Sequence, residues 1–233
     1  MARYHAEGPE PDRVKSYEAA TTRRPAPVAK EALDQLSGPF EAFQHRRAAT
    51  QDLDVDRLLS LAAIAFGKLR SRRVPGNGSV PDLLRKASPS GGSRRPTEGY
   101  VFARSVRGLD GGAYHFAVGT NSLDRIADLP PAGELRACLN GPSHAPFRPD
   151  AFMVLTSLFA RNLYRYREPR TFRTIFMDVG HVLATLEIAA HGLGLRCFVQ
   201  HGVDDDRLGR LLGLERLEEG VIFGAAIAGS DPS

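Results

Sequence analysis

The sequence has no tryptophan, only two cysteines and no apolar run long enough to cross a bilayer. A membrane-spanning helix needs about 20 consecutive apolar residues, so we expect no membrane association. Residues 1–7 are too polar for a secretory signal peptide, which predicts a cytoplasmic protein. Cys138 and Cys197 lack metal-ligand spacing. In a reducing compartment they are predicted to be buried thiols rather than a disulfide.

The sequence also has little excess of charge of either sign. It has 31 basic and 27 acidic residues, which gives a net charge of +4. The basic residues are scattered without interleaved aromatics, which argues against nucleic-acid binding. A mildly basic chain suits an anionic ligand such as a phosphate. Its 233 residues are enough to bury one full core, which predicts one large domain.

Residues 1–40 carry many charges and prolines and show no apolar period. This composition predicts an extended arm, with at most a short helix near residues 29–36. Residues 41–233 would then form the folded domain. Because a single chain gains little from such an arm, we expect it to wrap a second subunit.

Three segments have the apolar spacing of helices. The first follows Asp54, which together with Asp52 is a candidate N-cap. The second covers Ile175–His191 and is expected to stop at Gly192. The third follows the acidic run that begins at Asp204.

Four segments have the character of strands. Residues 100–106 and 113–118 are separated by a glycine-rich turn, which predicts a hairpin. Residues 151–159 and 221–228 are continuous apolar runs, which are typical of buried strands. The order of helices and strands predicts an α+β fold with a mostly antiparallel sheet.

Three features could carry chemistry. Ser90-Gly91-Gly92 could let the backbone approach a flat ligand and offer N–H groups to its oxygens, although a plain turn has the same composition. Arg46 and Arg47 could hold a phosphate or could be solvated surface side chains. The third feature is a cluster of arginines and tyrosines after the predicted strand at residues 151–159, where anions or acidic partners are expected. His181 is interpreted as a packing residue of the second helix.

The segment around Ser90 resembles the signature of a known family. Pro89-Ser90-Gly91-Gly92, followed by Pro96 and Glu98, is similar to the motif of the SagB-type dehydrogenases, the azoline oxidases of the flavin-dependent nitroreductase superfamily. The specific signal is an ordered set of motifs along nearly the whole chain. These are Tyr4-His5, Val14-Lys15-Ser16-Tyr17, His45-Arg46-Arg47, Gly108-Leu109, Tyr114-His115, Asp178-Val179-Gly180-His181-Val182, Gly192-Leu193-Gly194-Leu195, Asp204-Asp205-Asp206 and Leu211-Leu212-Gly213-Leu214.

The resemblance implies a nitroreductase-like three-layer fold, with a mostly antiparallel central sheet flanked by helices, in a homodimer that binds FMN at the subunit interface. It implies oxidation of a thiazoline or oxazoline ring in a ribosomal or nonribosomal peptide natural product to the aromatic azole, with oxygen reoxidising the flavin. A cyclodehydratase or synthetase is the implied partner enzyme.

The resemblance also implies roles for particular residues. Arg46 and Arg47 would hold the FMN phosphate, and Tyr166 would accept a proton. By its own chemistry rather than by the resemblance, Arg165 could lower the pKa of Tyr166 or stabilise developing negative charge. The residues expected to contact the cofactor are Arg46, Arg47, Pro89, Ser90, Gly91, Gly92, Arg173 and Gly194.

Three positions depart from the family pattern. Arg165 stands where the family has a lysine, and an arginine cannot accept a proton because it stays charged. The phosphate motif continues as Ala48-Ala49-Thr50, and Ala184-Thr185 replaces the usual glutamine and asparagine. Two other functions therefore stay open: an NAD(P)H-dependent flavin reductase of nitro or alkene groups, and a non-catalytic partner protein with the same fold.

Overall fold

The computed structural model describes residues 24–25, 52–72, 83–138 and 145–229. The predicted arm and Arg46 and Arg47 fall outside the described residues, apart from Arg24–Pro25. The elements in chain order are β1 (Arg24–Pro25), α1 (Val55–Phe66), β2 (Arg70–Arg72), β3 (Leu83–Arg85), β4 (Thr97–Ala103), β5 (Gly112–Ala117), β6 (Ser122–Ala127), α2 (Ala132–Ala137), β7 (Ala151–Leu158), α3 (Phe159–Leu163), α4 (Thr171–Gly192), β8 (Arg196–Gln200), α5 (Asp205–Leu212) and β9 (Glu219–Ala228).

Within the described residues, the central sheet has seven strands in the order β1-β6-β5-β4-β7-β9-β8, and all neighbours are antiparallel. The predicted hairpin is confirmed as β4 and β5, and the predicted buried strands are confirmed as β7 and β9. Strands β2 and β3 form a separate ribbon. β6 and β8 were not predicted.

Helices cover both faces of the sheet. Because successive side chains of a strand point to opposite faces, Val101 and Met153 pack against α1 and α4, whereas Phe102 and Phe152 pack in the cluster that contains Leu208 of α5. Burial of this apolar surface on both faces is the main stabilising contribution to the fold. The predicted three-layer α+β architecture is confirmed.

The helix ends follow the predicted capping chemistry. Asp54 Oδ1 accepts a hydrogen bond from the Arg57 N–H at 2.9 Å, and Asp204 Oδ1 accepts one from the Arg207 N–H at 2.9 Å. Gly213 ends α5 with φ +66°, in the left-handed region that favours glycine. Helix α4 begins at Thr171, before the predicted start at residue 175.

The two cysteines are free thiols, as predicted, but only Cys138 is buried and Cys197 is partly exposed. Burial raises the pKa of Cys138 to about 11 and that of Cys197 to about 12. Within the part of the chain that the structure describes, no helix combines the length and the apolar character that crossing a membrane requires.

Candidate functional site

Residues 89–92, here named the glycine loop, are held by the long helix α4. Ser90 Oγ donates a hydrogen bond to Asp178 Oδ2 at 2.6 Å, and the Gly91 N–H donates to Asp178 Oδ1 at 2.9 Å. Ser90 Oγ also accepts a hydrogen bond from the Arg95 N–H at 2.9 Å. Asp178 is buried, and both of its carboxylate oxygens are used to fix the loop.

The two glycines of the loop are required by close approach. A Cβ at Gly91 would lie 2.3 Å from Thr174 Cγ2, and a Cβ at Gly92 would lie 2.3 Å from Tyr166 Oη. Gly92 also has φ +59°, a conformation that glycine adopts at little cost. The glycines therefore let the loop pack against α4 and against Tyr166.

Tyr166 lies in the connection between α3 and α4. Its N–H donates to the Asn162 carbonyl at 2.8 Å, and its own carbonyl accepts from the Thr171 hydroxyl at 2.6 Å. The side chain is 39% exposed, so its phenol can reach both solvent and the glycine loop. The structure thus brings together Gly92 and Tyr166. Arg165 and Arg173 are exposed in the same region.

A buried polar network lies beneath this end of the sheet. Glu98 of β4 accepts a hydrogen bond from Arg161 Nη1 at 2.5 Å and lies 2.8 Å from His115 Nε2. Arg161 Nη1 also donates to the Arg95 carbonyl at 2.7 Å. All four side chains are at least nine-tenths buried. The network therefore ties Arg95, three residues after the glycine loop, to β4, β5 and α3.

The pKa of Glu98 in this network and that of Lys86, which its charges influence, are both shifted. Burial acts to raise the pKa of Glu98, but the charge of Arg161 and the hydrogen bond with His115 outweigh it and lower that pKa to about 2. Burial lowers the pKa of Lys86 to about 8, with Glu98 opposing this shift and Arg161 and Arg95 reinforcing it.

Gly194 lies far from the glycine loop. It follows the carboxyl end of α4 and has φ +66°, and its carbonyl accepts a hydrogen bond from Arg57 Nη2 at 3.4 Å. From Asp178 to Gly192 the helix rises about 20 Å at 1.5 Å per residue. The structure does not place Gly194 beside the loop. His181 is exposed on α4, so its interpretation as a packing residue is wrong.

Three residues that position the site were missed as site residues: Asp178, Arg161 and Glu98. Glu98 gave a signal, because a carboxylate flanked by the apolar residues of β4 must find a partner or lose its charge. Asp178 belongs to a family motif, but its contact with the loop depends on tertiary structure.

The sequence model of the nitroreductase family matches residues 24–229 of this chain. The chain belongs to this family. Membership of this family supports the assignment of the chain as an oxidoreductase. Members of the family generally use a flavin.

The chain is 33% identical over 177 residues to the trifolitoxin-processing protein TfxB of Rhizobium leguminosarum bv. trifolii, an alignment that covers 73% of the chain and 46% of TfxB. It spans about half the length of the curated relatives it matches. This nitroreductase-family chain is thus related to a protein that processes trifolitoxin.

Two solved structures share the fold. A nitroreductase-like protein from Anabaena variabilis superposes with a TM-score of 0.71 at 25% identity, over 94% of this chain and 40% of that one. A chain of the Escherichia coli microcin synthetase McbBCD complex, with truncated pro-MccB17 bound, superposes with a TM-score of 0.62 at 21% identity, over 84% of this chain and 73% of that one.

Proposed function

We propose that this chain is an FMN-dependent dehydrogenase that oxidises a thiazoline or oxazoline ring in a peptide natural product to the aromatic azole. The observation that carries the proposal is the contact between the Tyr166 hydroxyl and Gly92. The phenol of Tyr166, the proposed proton-transfer group, contacts the loop that is expected to line the isoalloxazine ring. The similarity to the trifolitoxin-processing protein supports the choice of a peptide substrate.

The residues around the loop fit a flavin. Thr97 and Ser157 are paired across β4 and β7 at this end of the sheet, and Asn162 begins the turn to Tyr166. The hydroxyls of Thr97 and Ser157 and both amide atoms of Asn162 are buried, and they lack hydrogen-bond partners among the residues that the structure describes. Buried polar groups normally have partners. A ring with several donors and acceptors, such as isoalloxazine, would provide them.

The charges near the loop also suit an anionic cofactor. The charges of Arg95 and Arg161 both act to lower the pKa of Lys86, while Glu98 acts to raise it and Asp178 acts to raise the pKa of Arg95. Arg46 and Arg47 remain the predicted ligands of the phosphate, and Arg173 a predicted further contact. Gly194 could contact only a part of the cofactor remote from the loop.

Aromatisation of the ring removes two hydrogens, one as a proton and one with its electron pair. Bound FMN would supply the acceptor for the electron pair and its hydrogen. Tyr166 Oη is the proposed acceptor for the proton, and its partial exposure gives the proton a route to solvent. Arg165, next to it in the chain, would stabilise the negative charge of the phenolate. Asp178 is a positioning residue, because it fixes the loop through Ser90 and Gly91.

We also propose that two copies of the chain assemble through α4. Phe176 and Met177 are 54% and 56% exposed on this helix, and Phe172 is 39% exposed one turn before. A cluster of large apolar side chains on the surface is typical of an interaction site. The cluster adjoins the glycine loop, because Thr174 contacts Gly91, so a second subunit there would adjoin the flavin.

The cofactor is tested by the visible spectrum of the purified protein. We expect a yellow protein with one FMN per chain, and a colourless protein that takes up no added FMN would favour the non-catalytic partner. Anaerobic mixing with NADPH then separates the two enzymes, because rapid bleaching would favour the reductase of nitro or alkene groups. The reaction itself is assayed with a synthetic thiazoline peptide, by the loss of two hydrogen masses in air.

Tyr166→Phe should retain FMN and lower turnover of that peptide by about 10²- to 10⁴-fold, the usual contribution of general base catalysis. Tyr164→Phe is the matched control, because Tyr164 lies two positions earlier in the chain and has no role in the proposed mechanism. Equal turnover by the Tyr166→Phe variant and the native enzyme would remove Tyr166 from the mechanism.

A further inference from the structure

A cavity of about 380 Å³ lies on the face of the sheet that α5 covers. This volume is within the usual range of small-ligand sites, roughly 300–1,000 Å³. Most of the lining is apolar, and none of the described lining residues is acidic. The lining side chains that the inference uses are Phe102, Arg104, Leu135, Arg136, Phe152 and Gln200.

The cavity is separate from the glycine loop. Phe102 lies near the carboxyl end of β4, whereas the loop precedes Thr97 at the other end of that strand. Five residues at about 3.3 Å each separate the two positions by some 15–20 Å along the strand. Phe102 also faces away from the side of the sheet on which Asp178 holds the loop.

Gln200 gives the cavity a specific acceptor. The side chain is only 5% exposed, and its Oε1 is buried without a hydrogen-bond partner within the described part of the chain. Because a buried amide carbonyl normally accepts a hydrogen bond, this oxygen fits a ligand that brings an N–H group. Gln200 is one of the few polar residues in an otherwise largely apolar lining.

Arg104 and Arg136 give the cavity a positive mouth. Arg104 is half-buried and Arg136 is exposed, and neither guanidinium forms an ion pair with an acidic residue that the structure describes. Guanidinium groups stay charged and bind carboxylates through parallel hydrogen bonds. Two of them in one lining, with no acidic residue among the described lining residues, favour a carboxylate ligand.

We propose that this cavity binds the carboxyl-terminal residue of a peptide. The apolar side chain of that residue would fill the space between Phe102, Phe152 and Leu135. Its amide N–H would donate to Gln200 Oε1, and its terminal carboxylate would pair with Arg104 and Arg136. The inference rests on the proposed function for the identification of this peptide as the substrate. The cavity would bind the substrate's carboxyl-terminal residue, at a distance from the ring that reacts at the glycine loop.

The probe is the peptide acetyl-Ser-Gly-Ser-Gly-Phe, prepared as the free acid and as the carboxamide. Each is titrated into the ¹⁵N-labelled full chain, and binding is followed by NMR shift changes. We expect the acid to shift the amides of Leu135, Arg136 and Gln200 and to bind at least tenfold more tightly than the carboxamide. Equal affinities, or shifts that centre on the glycine loop, would overturn the proposal.

Arg136→Gln should remove most of the preference for the acid. Arg148→Gln should keep it, because Arg148 is exposed on a neighbouring turn and does not line the cavity. An equal loss of preference in both variants would show non-specific attraction of the anion and would refute the site.

Gln200→Leu separates binding from a structural role. If the unpartnered amide of Gln200 only destabilises the fold, its replacement raises the melting temperature and leaves the affinity for the peptide unchanged. That result would contradict the proposal. We expect a fold at least as stable as the native one, with affinity for the acid reduced fivefold or more. Because the readout is binding of the probe, it is independent of FMN content and turnover, so failure of the proposed function would be seen separately.

Discussion

Gly92 is constrained in two independent ways, by its backbone angle and by its neighbour. Its φ of +59° is unfavourable for any residue with a Cβ, and the Tyr166 hydroxyl occupies the space into which a Cβ would project. The composition of the loop shows that glycine is needed there but does not show why. The structure gives a reason within the chain itself, in addition to the approach of a ligand.

We predict that Gly92→Ala lowers the free energy of unfolding by about 1–3 kcal/mol, the usual cost of a strained backbone position. Urea denaturation measures the change. Gly209→Ala is the control, because Gly209 lies within α5 with no atom within 4 Å of the added methyl group. That substitution should stabilise by up to ~1 kcal/mol, the difference in helix propensity.

The cause of the effect is tested by making Gly92→Ala in a Tyr166→Phe background. Removal of the hydroxyl leaves Cζ, at 3.2 Å, as the nearest atom. Part of the lost free energy of unfolding should therefore return. The cost of the positive φ at position 92 should remain. An identical cost in both backgrounds would mean that contact with Tyr166 does not constrain Gly92.

The buried network joins three elements of secondary structure. Glu98 belongs to β4, His115 to β5 and Arg161 to α3. Removal of one partner of a buried ion pair leaves the other charge uncompensated and typically costs 3–5 kcal/mol. The network therefore fixes the angle at which the chain leaves the sheet towards Tyr166.

We predict that Glu98→Gln lowers the free energy of unfolding at pH 7 by about 3–5 kcal/mol, as measured by urea denaturation. Asp128→Asn is the control. It breaks the surface pair with Arg125, in which Asp128 is 91% exposed, and should change stability by less than ~1 kcal/mol. Equal effects of the two substitutions would contradict the role of the network.

The pH dependence has a definite sign. The pKa of Glu98 is about 2 in the folded chain, against an ordinary value of 4.5. As the pH falls, this carboxylate therefore binds a proton in the unfolded chain before it does so in the folded chain. The stability that Glu98 contributes is complete above pH 4.5 and is lost as the pH falls towards 2. Glu98→Gln should flatten the loss of stability in this acid range.

The sequence predicted the elements whose apolar pattern is strong. Buried strands such as β7 and helices with clear caps such as α5 were found, because burial and capping leave local patterns. β8 was missed because its side chains are mostly half-buried at the edge of the sheet. The start of α4 was placed late, because its first turn is largely exposed and polar and only residues from Ile175 onward show the apolar period.

The site could be predicted only in part. The resemblance pointed to the glycine loop and Tyr166, which the structure brings together. The roles of Asp178 and Arg161 depend on contacts between residues that are 88 and 63 positions apart in the chain. No local pattern encodes such contacts, because they arise only when helix and sheet pack.

At the scale of the whole molecule, the exposed apolar cluster on α4 predicts a dimer. We expect sedimentation analysis to give twice the mass of one chain. Met177→Glu should produce monomers, because a carboxylate cannot be buried in an apolar interface without a partner. Leu217→Glu is the control, since Leu217 is 92% exposed and lies outside α4. A native chain that sediments as a monomer at all concentrations would refute the interface.

The hydrogen bonds from the glycine loop to Asp178 have a consequence for the order of folding. They connect parts of the chain separated by 88 residues, and such distant contacts form after local ones because of the entropy of loop closure. The loop therefore acquires its shape only when α4 has docked on the sheet. We expect cofactor capture to be one of the last events of maturation, and any damage to the docking of α4 to appear first as lost flavin.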